Sequence, residues 1–153
     1  MNNTAKLALP VTPLSGSLVR ARWSTRVQFA SLGILSGAWG AHVPSIKQHF
    51  ALTEVSLSVV LLFVALGVLF SLMFVGRVVE RLTARGAALI GGLLISAALA
   101  AMLHAPGFVL LLPIAFILGA SMSLFDVSIN ADGTELEHVG GKPIMSNLHG
   151  MFS

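Results

Sequence analysis

The stretch VSLSVVLLFVALGVLFSLMFVG, residues 55–76, decides the fold because it is long, apolar and free of charge. At 1.5 Å per helical residue it spans about 33 Å, the thickness of the hydrocarbon core of a bilayer. Three further stretches without Asp, Glu, Lys or Arg occupy residues 27–46, 86–103 and 105–125. Because lipid offers no hydrogen bonds to a backbone, such segments satisfy their own polar groups as helices. The sequence predicts an all-α, polytopic bundle of membrane helices.

The basic residues lie almost entirely on one side of these stretches. If the chain crosses four times from a cytoplasmic N-terminus, Lys47 alone faces outward. The eight basic residues that then face the cytoplasm are Lys6, Arg20, Arg22, Arg26, Arg77, Arg81, Arg85 and Lys142. An excess of Lys and Arg on the inner side orients helical membrane proteins. We therefore expect an integral membrane protein with its N-terminus in the cytoplasm.

Composition excludes a soluble domain and argues against nucleic acid as a partner. The chain is 56% hydrophobic and only 10% charged, whereas a soluble domain carries about 25% charged residues. The basic residues stand in short loops beside apolar spans, where they fix topology and contact lipid headgroups. The absence of cysteine excludes disulfides and thiolate metal sites. The expected partner is the lipid bilayer.

Helix-breaking and capping residues set the expected boundaries. Residues 1–22 are expected to form a disordered cytoplasmic tail, and Pro44 is expected to end the first helix. Thr53 is a predicted N-cap. The four expected helices cover about 26–43, 54–76, 86–103 and 108–130, with helical spacing persisting to Glu137. A fifth helix is expected to begin at Pro143, and its 11 residues to Ser153 span about 16 Å, half a crossing. We therefore expect a fragment, the incomplete N-terminal half of a longer bundle.

The first helix has two contrasting faces. Gln28, Trp39 and His42 share one face at helical spacing and are candidates for lining a substrate cavity. Trp39 is equally consistent with an interfacial aromatic belt, and His42 with a solvated helix end. The opposite face carries small residues at a spacing that lets backbones approach closely, and we expect it to pack against a neighbour. These packing glycines are Gly33, Gly37 and Gly40.

The fourth helix carries an acid at the end of its apolar part. An ionised carboxylate beside hydrocarbon is costly, so Asp126 is expected to pair with Arg77, Arg81 or Arg85 at the same depth. Direct binding of substrate or proton is the alternative role for Asp126. Asn130, one turn further on, is either a contact at the mouth of a cavity or a solvated surface residue.

The inner loop carries a family resemblance. GRVVERLTARG, residues 76–86, resembles the loop between helices two and three of the major facilitator superfamily, with Gly76, Glu80, Arg81 and Arg85 at matching positions. Glu80 replaces the usual aspartate and Thr83 the usual glycine. Residues 37–47, FDVSIN at 125–130 with Gly133 and Glu137, and residues 142–153 resemble a bacterial inner-membrane branch, several of whose members have no assigned substrate.

The resemblance implies a secondary transporter that moves a small solute across a bacterial inner membrane by alternating access. That architecture has twelve helices in two halves, with helices one and four lining a central cavity. It also implies that Glu80, Arg81 and Arg85 help to latch one conformation through charge pairs, with Asp126 placed to accept one. Without the resemblance, Glu80 and the two arginines would be a solvated, positively charged loop. The implied partner is a small molecule, with or without a coupling ion.

Two other function classes are weaker. A self-contained four-helix protein, acting as a dimeric exporter or a non-transporting membrane subunit, is the alternative to a transporter fragment. Small exporters usually place an acid within the first helix, and this first helix has none. No nucleophile, phosphate-binding or metal-ligand pattern is present in the sequence, so we expect no catalytic residues, no cofactor, no metal and no enzyme activity.

Overall fold

The computed structural model describes residues 16–141 and 143–152, which form six helices and no strand. The helices are α1 (Gly16–His49), α2 (Glu54–Leu72), α3 (Val75–Leu82), α4 (Ala84–Leu103), α5 (Phe108–Gly140) and α6 (Met145–Phe152). Three of them, α2, α4 and α5, are long and apolar enough to cross a membrane. The prediction of an all-α membrane bundle is therefore confirmed. Most of the expected N-terminal tail, residues 1–15, lies outside the described residues.

Helix α1 is longer at both ends than the sequence predicts. It begins at Gly16 instead of about residue 26, and it continues through Pro44 to His49. The residues just before Trp23 include good helix formers such as Leu18, Arg20 and Ala21, which extend the helix backward. A membrane helix tolerates an internal proline where neighbouring groups compensate for the lost hydrogen bond. Its polar and glycine positions make α1 less apolar than the three candidate spans.

The inner loop is itself helical. Helix α2 ends at Leu72 and not at residue 76, since the N–H groups of Met73 and Phe74 bond to carbonyls only three residues back. The eight residues of α3 follow, and one side of this short helix is apolar. Its apolar residues are Val75, Val78, Val79 and Leu82. A sequence that changes from uniformly apolar to amphipathic at this point explains why one straight helix does not continue.

Capping side chains define two helix starts. Thr53 caps α2, as predicted, because its Oγ1 accepts a hydrogen bond from the N–H of Ser56 at 3.1 Å. Thr83 caps α4, with Oγ1 accepting from the N–H of Gly86 at 3.3 Å. The backbone of Thr83 has φ 65° and ψ 156°, a conformation found almost only in glycine. Glycine at this position would be free of this strain, because it has no Cβ.

Helix α5 is the centre of the bundle. Helices α2 and α4 pack along it, α1 packs on α5 and α6, and α6 contacts both α1 and α5. The core residues include Phe29, Ile95, Leu118 and Ile129, all of them buried. At 33 residues α5 is about 50 Å long, so it extends well past a hydrocarbon core.

Glycines allow α2 and α5 to approach closely. A Cβ added to Gly67 would overlap the carbonyl oxygen of Phe116, and one added to Gly119 would overlap that of Val64. The two helices therefore touch backbone to backbone, in the manner of small-residue contacts between membrane helices. By contrast, a Cβ on Gly37 or Gly40 of α1 would meet no described residue within 4 Å. The close contact in the described structure is thus made by Gly67 and Gly119, whereas the packing of Gly33 stays a prediction.

Candidate functional site

A buried acid joins three helices at the end of the bundle that contains the start of α1. Asp132 on α5 is only 4% exposed. Its Oδ1 accepts a hydrogen bond from Nε of Arg85 on α4 at 3.0 Å, and its Oδ2 accepts one from Oγ1 of Thr25 on α1 at 2.6 Å. The Arg85 side chain remains about half exposed, at 53%. Both carboxylate oxygens of Asp132 are thus occupied, and the Thr25–Asp132–Arg85 link fixes the three helices to one another.

The predicted partner of the arginine was Asp126, and the structure places Asp132 there instead. Asp132 follows Asp126 by six positions in the helix, which places the two acids about 9 Å apart along the helix axis and about 120° apart around it. Arg85 lies in the first turn of α4, at the depth of Asp132. Asp126 is exposed, and its Oδ1 accepts a hydrogen bond from Nδ2 of Asn130 at 3.0 Å. The pairing of Asp126 with an arginine is therefore corrected.

A signal for Asp132 was present in the sequence. Phe125, Ile129, Asp132 and Leu136 follow one another at steps of four, three and four, so they share one face of α5, and all are buried. An aspartate on an otherwise apolar face must have a partner, since an unpaired buried charge is very costly. Reading the face of Asp126 alone missed this second, buried acid.

Glu80 and Arg81 lie on the exposed surface of α3. In the part of the chain that the structure describes, neither makes an ion pair, and Arg77 is also exposed. Of the predicted latch residues, the structure thus brings only Arg85 into a charge pair. The latch role of Glu80 and Arg81 stays a prediction.

Asp126 and Asn130 line an open groove on α5. Asn130 donates from Nδ2 to both the Asp126 carbonyl and its carboxylate, and Thr134 donates from Oγ1 to the Asn130 carbonyl. The groove has a volume of about 730 Å³. Its lining contains further polar side chains, namely Glu135 and His138, beside Val127, Ala131, Val139 and Met145. This groove offers carboxylate, amide and hydroxyl groups to a molecule that enters it.

The structure places the predicted residues of α1 in different surroundings. Gln28 lines a groove of about 810 Å³ between α1 and α4, and its Oε1 is buried without a hydrogen-bond partner among the described residues. Trp39 is half-buried and packs against the core, while His42 is exposed beside a small cavity at the far end of α4. Burying a large side chain such as Trp39 against the apolar core stabilises the fold more than burying a glycine, which explains why Trp39 packs. Gly37 and Gly40 are exposed, and Gly33 is half-buried.

Polar contacts also fix the short helix α6. Oε2 of Glu137, near the end of α5, accepts hydrogen bonds from the N–H groups of Ile144 and Met145 at 2.8 and 2.9 Å. These are donors at the start of a helix, which otherwise lack partners. Met145 and Leu148 then pack on Gly133, so that α6 lies close to the α5 backbone. At the opposite end of the bundle Lys47 forms an ion pair with Glu54.

Three relatives of known name resemble this chain. An uncharacterized transporter of Sinorhizobium fredii is 35% identical over 121 residues, which is 79% of this chain and 32% of the relative. An uncharacterized MFS-type transporter of Yersinia pestis is 29% identical over 132 residues, 85% of this chain and 34% of the relative. The membrane protein MosC of Rhizobium meliloti is 29% identical over 126 residues, 82% of this chain and 31% of the relative.

These relatives confirm the predicted resemblance to the major facilitator superfamily. The chain spans about a third of the length of each of the three. No family model and no solved structure matches the chain.

Proposed function

We propose that this chain is part of a secondary transporter that carries a small solute by alternating access, since it is similar to one protein named as a transporter and to another named as an MFS-type transporter. The observation that carries the proposal is the 35% identity, over 79% of the chain, to a protein named as a transporter. The relatives are about three times as long. We therefore propose that the described helices work together with further helices of the complete protein.

The proposed orientation follows from the position of the arginines in the bundle. The Thr25–Asp132–Arg85 link joins the start of α1 to the start of α4, and α3 leads directly into α4. Most described arginines therefore stand at one end of the bundle, and Lys47 stands at the other. By the bias of basic residues toward the inside, we assign the arginine end to the cytoplasm of a bacterial inner membrane.

The proposed solute contacts are in the groove on α5. Asp126 and Asn130 line an open groove bordered by Met145 of α6, whereas the Asp132 face is closed by α1 and α4. An ionisable residue that faces an open groove beside the apolar part of a membrane helix is a candidate contact for a solute or an ion. Gln28, Trp39 and His42 stay predictions for the remaining cavity wall. The relatives do not favour the alternative of a self-contained four-helix exporter.

Ligand-induced stabilisation of the purified complete protein tests this proposal. A solute that binds the folded protein at one hundred times its Kd stabilises it by about 2.7 kcal/mol, which raises the melting temperature measurably. We expect a solute that stabilises the parent protein to be transported by it into proteoliposomes. The variants Asp126→Asn and Asn130→Ala should lose both the binding and the transport of that solute. Ser58→Ala, at an exposed position of α2, is the control outside the groove. If the two groove variants bind and transport the same solute as well as the parent protein does, the assignment of the groove as the solute site is contradicted.

A further inference from the structure

The hydroxyl of Thr25 has two acceptors within reach, and one of them belongs to its own helix. Its Oγ1 lies 2.6 Å from Oδ2 of Asp132 on α5 and 3.1 Å from the carbonyl oxygen of Ala21, one turn back on α1. A hydroxyl carries one proton, so it donates to one acceptor at a time. The shorter distance is typical of donation to an ionised carboxylate. In this conformation the proton therefore points at Asp132.

Other Ser and Thr hydroxyls in the helices show that a carbonyl such as that of Ala21 is an ordinary acceptor. Several of them donate only to the carbonyl four residues back, which is the usual arrangement for Ser and Thr inside a helix. These hydroxyls belong to Ser31, Ser58, Ser96, Ser121, Ser128 and Thr134. For Thr25 that bond is available without moving a heavy atom, since only the hydroxyl proton has to turn.

This arrangement makes the contact between α1 and α5 easy to break. A buried donor that loses its partner normally costs the full desolvation penalty of the group. Thr25 is completely buried, yet when Asp132 moves away its hydroxyl can return to the Ala21 carbonyl. Arg85, with a half-exposed side chain, can likewise turn to water. The link is thus stable when closed and leaves no orphaned donor when open.

We propose that Thr25 is a positioning residue of the transport cycle: its hydroxyl holds α1 against α5 at the cytoplasmic end and switches to Ala21 when these helices separate. The inference rests on the proposed function, because such a joint has a use only if the helices move relative to one another. It assigns Thr25 a role that neither the polar face of α1 nor the inner-loop motif indicated.

A thiol at Ser128 can report the opening of this joint. Ser128 is completely buried, one helical turn from Asp132 on the same face of α5. The described chain has no cysteine of its own, so Ser128→Cys in a background without other cysteines gives a single, nearly isosteric reporter. Its rate of modification by a maleimide in membranes measures how often α1 and α4 leave that face of α5.

We expect Thr25→Val to raise the labelling rate roughly tenfold, the effect of one hydrogen bond to a charged group on an equilibrium. Thr25→Ser, which keeps the hydroxyl, should stay within about twofold of the parent. In an Asp132→Ala background, Thr25→Val should change the rate by less than about twofold, since the acceptor is already gone. If Thr25→Val does not accumulate in membranes, Thr25→Ala serves in the same comparison.

Equal labelling rates for Thr25→Val and Thr25→Ser would overturn the inference. So would an unchanged effect of Thr25→Val in the Asp132→Ala background, because that result describes a packing role. The measurement needs no solute. A protein that shows the expected labelling pattern and yet carries no solute would therefore contradict the proposed function and leave the joint in place.

Discussion

The interior around α5 and the open faces of the bundle contain the same residue types in opposite situations. Inside, Asp132 bonds to two helices and Gly119 touches the backbone of α2. On the open faces, Asp126 bonds only to its neighbour Asn130 among described residues, and Gly37 meets nothing within 4 Å. The comparison teaches that aspartate or glycine in a membrane helix has no fixed role. The surface that a neighbouring helix covers decides whether the residue builds the bundle or is free for a ligand.

The largest expected difference concerns the two glycines. Gly119→Ala should lower the free energy of unfolding by about 3 kcal/mol, because the new methyl group overlaps a backbone carbonyl that cannot move alone. Gly37→Ala should be neutral or stabilise by up to about 1 kcal/mol, since alanine is the better helix former. Unfolding of both variants in mixed detergent micelles measures the difference. A comparable loss at Gly37 would show that this face of α1 is also packed in the complete protein.

The two aspartates should differ by a smaller amount. Asp132→Ala should cost about 2 kcal/mol, because it removes the acceptor of two hydrogen bonds, one of them from an arginine. The half-exposed Arg85 can be rehydrated, which keeps the loss below that of a fully buried pair. Asp126→Ala should cost less than about 0.5 kcal/mol, as for other open surface positions. Equal losses in the same unfolding assay would erase the distinction between the two acids.

A gain of about 1 kcal/mol is expected from Thr83→Gly. Glycine removes the strain of a β-branched residue at φ 65° and ψ 156°, which costs about 1–3 kcal/mol. Replacing the capping hydroxyl by glycine costs only a few tenths of a kcal/mol. Thr53→Gly is the matched control, since it loses a similar cap without positive φ and should be slightly destabilising. If Thr83→Gly also lowers the free energy of unfolding, the capping hydrogen bond contributes more than the backbone strain costs.

Asp126→Asn should have the smallest effect on stability of these variants and the largest effect on transport. Asp126→Asn keeps the shape of the side chain and its bond to Asn130, so unfolding should change by less than about 0.5 kcal/mol. Solute uptake into proteoliposomes should nevertheless be lost if Asp126 contacts the solute or an ion. Retained uptake with unchanged stability would make Asp126 an ordinary solvated residue of the groove wall.

Much of the fold was predictable because charge and hydropathy act over whole segments. The uncharged stretches correctly located α2, α4 and the apolar part of α5, and Thr53 capped α2 as its chemistry predicts. The ends of α1 were not predictable in the same way. Pro44 is unfavourable inside an isolated helix, but the rest of α1 and its neighbours keep the helix continuous to His49.

The candidate site was predicted less well because pairings across helices depend on depth as well as on sequence spacing. Asp126 was the only acid predicted as the partner of the arginines, whereas Arg85 pairs with Asp132, which lies about 9 Å further along the helix axis. Similarly, the spacing of Gly33 and Gly37 satisfies the rule for close helix contact, yet Gly37 is open among the described residues. The close contact seen there is made by Gly67 and Gly119, on different helices.

Two neighbouring reporters on α5 test the central claim most directly. Val127 lines the open groove, whereas Ser128 is buried against the other helices. A maleimide that cannot cross the membrane is applied to the complete protein from either side, in intact cells and in inverted vesicles. We predict that Val127→Cys is modified readily from the cytoplasmic side, and that Ser128→Cys reacts much more slowly from either side. Equal rates of modification at the two positions would contradict the distinction between the open and the covered face of α5.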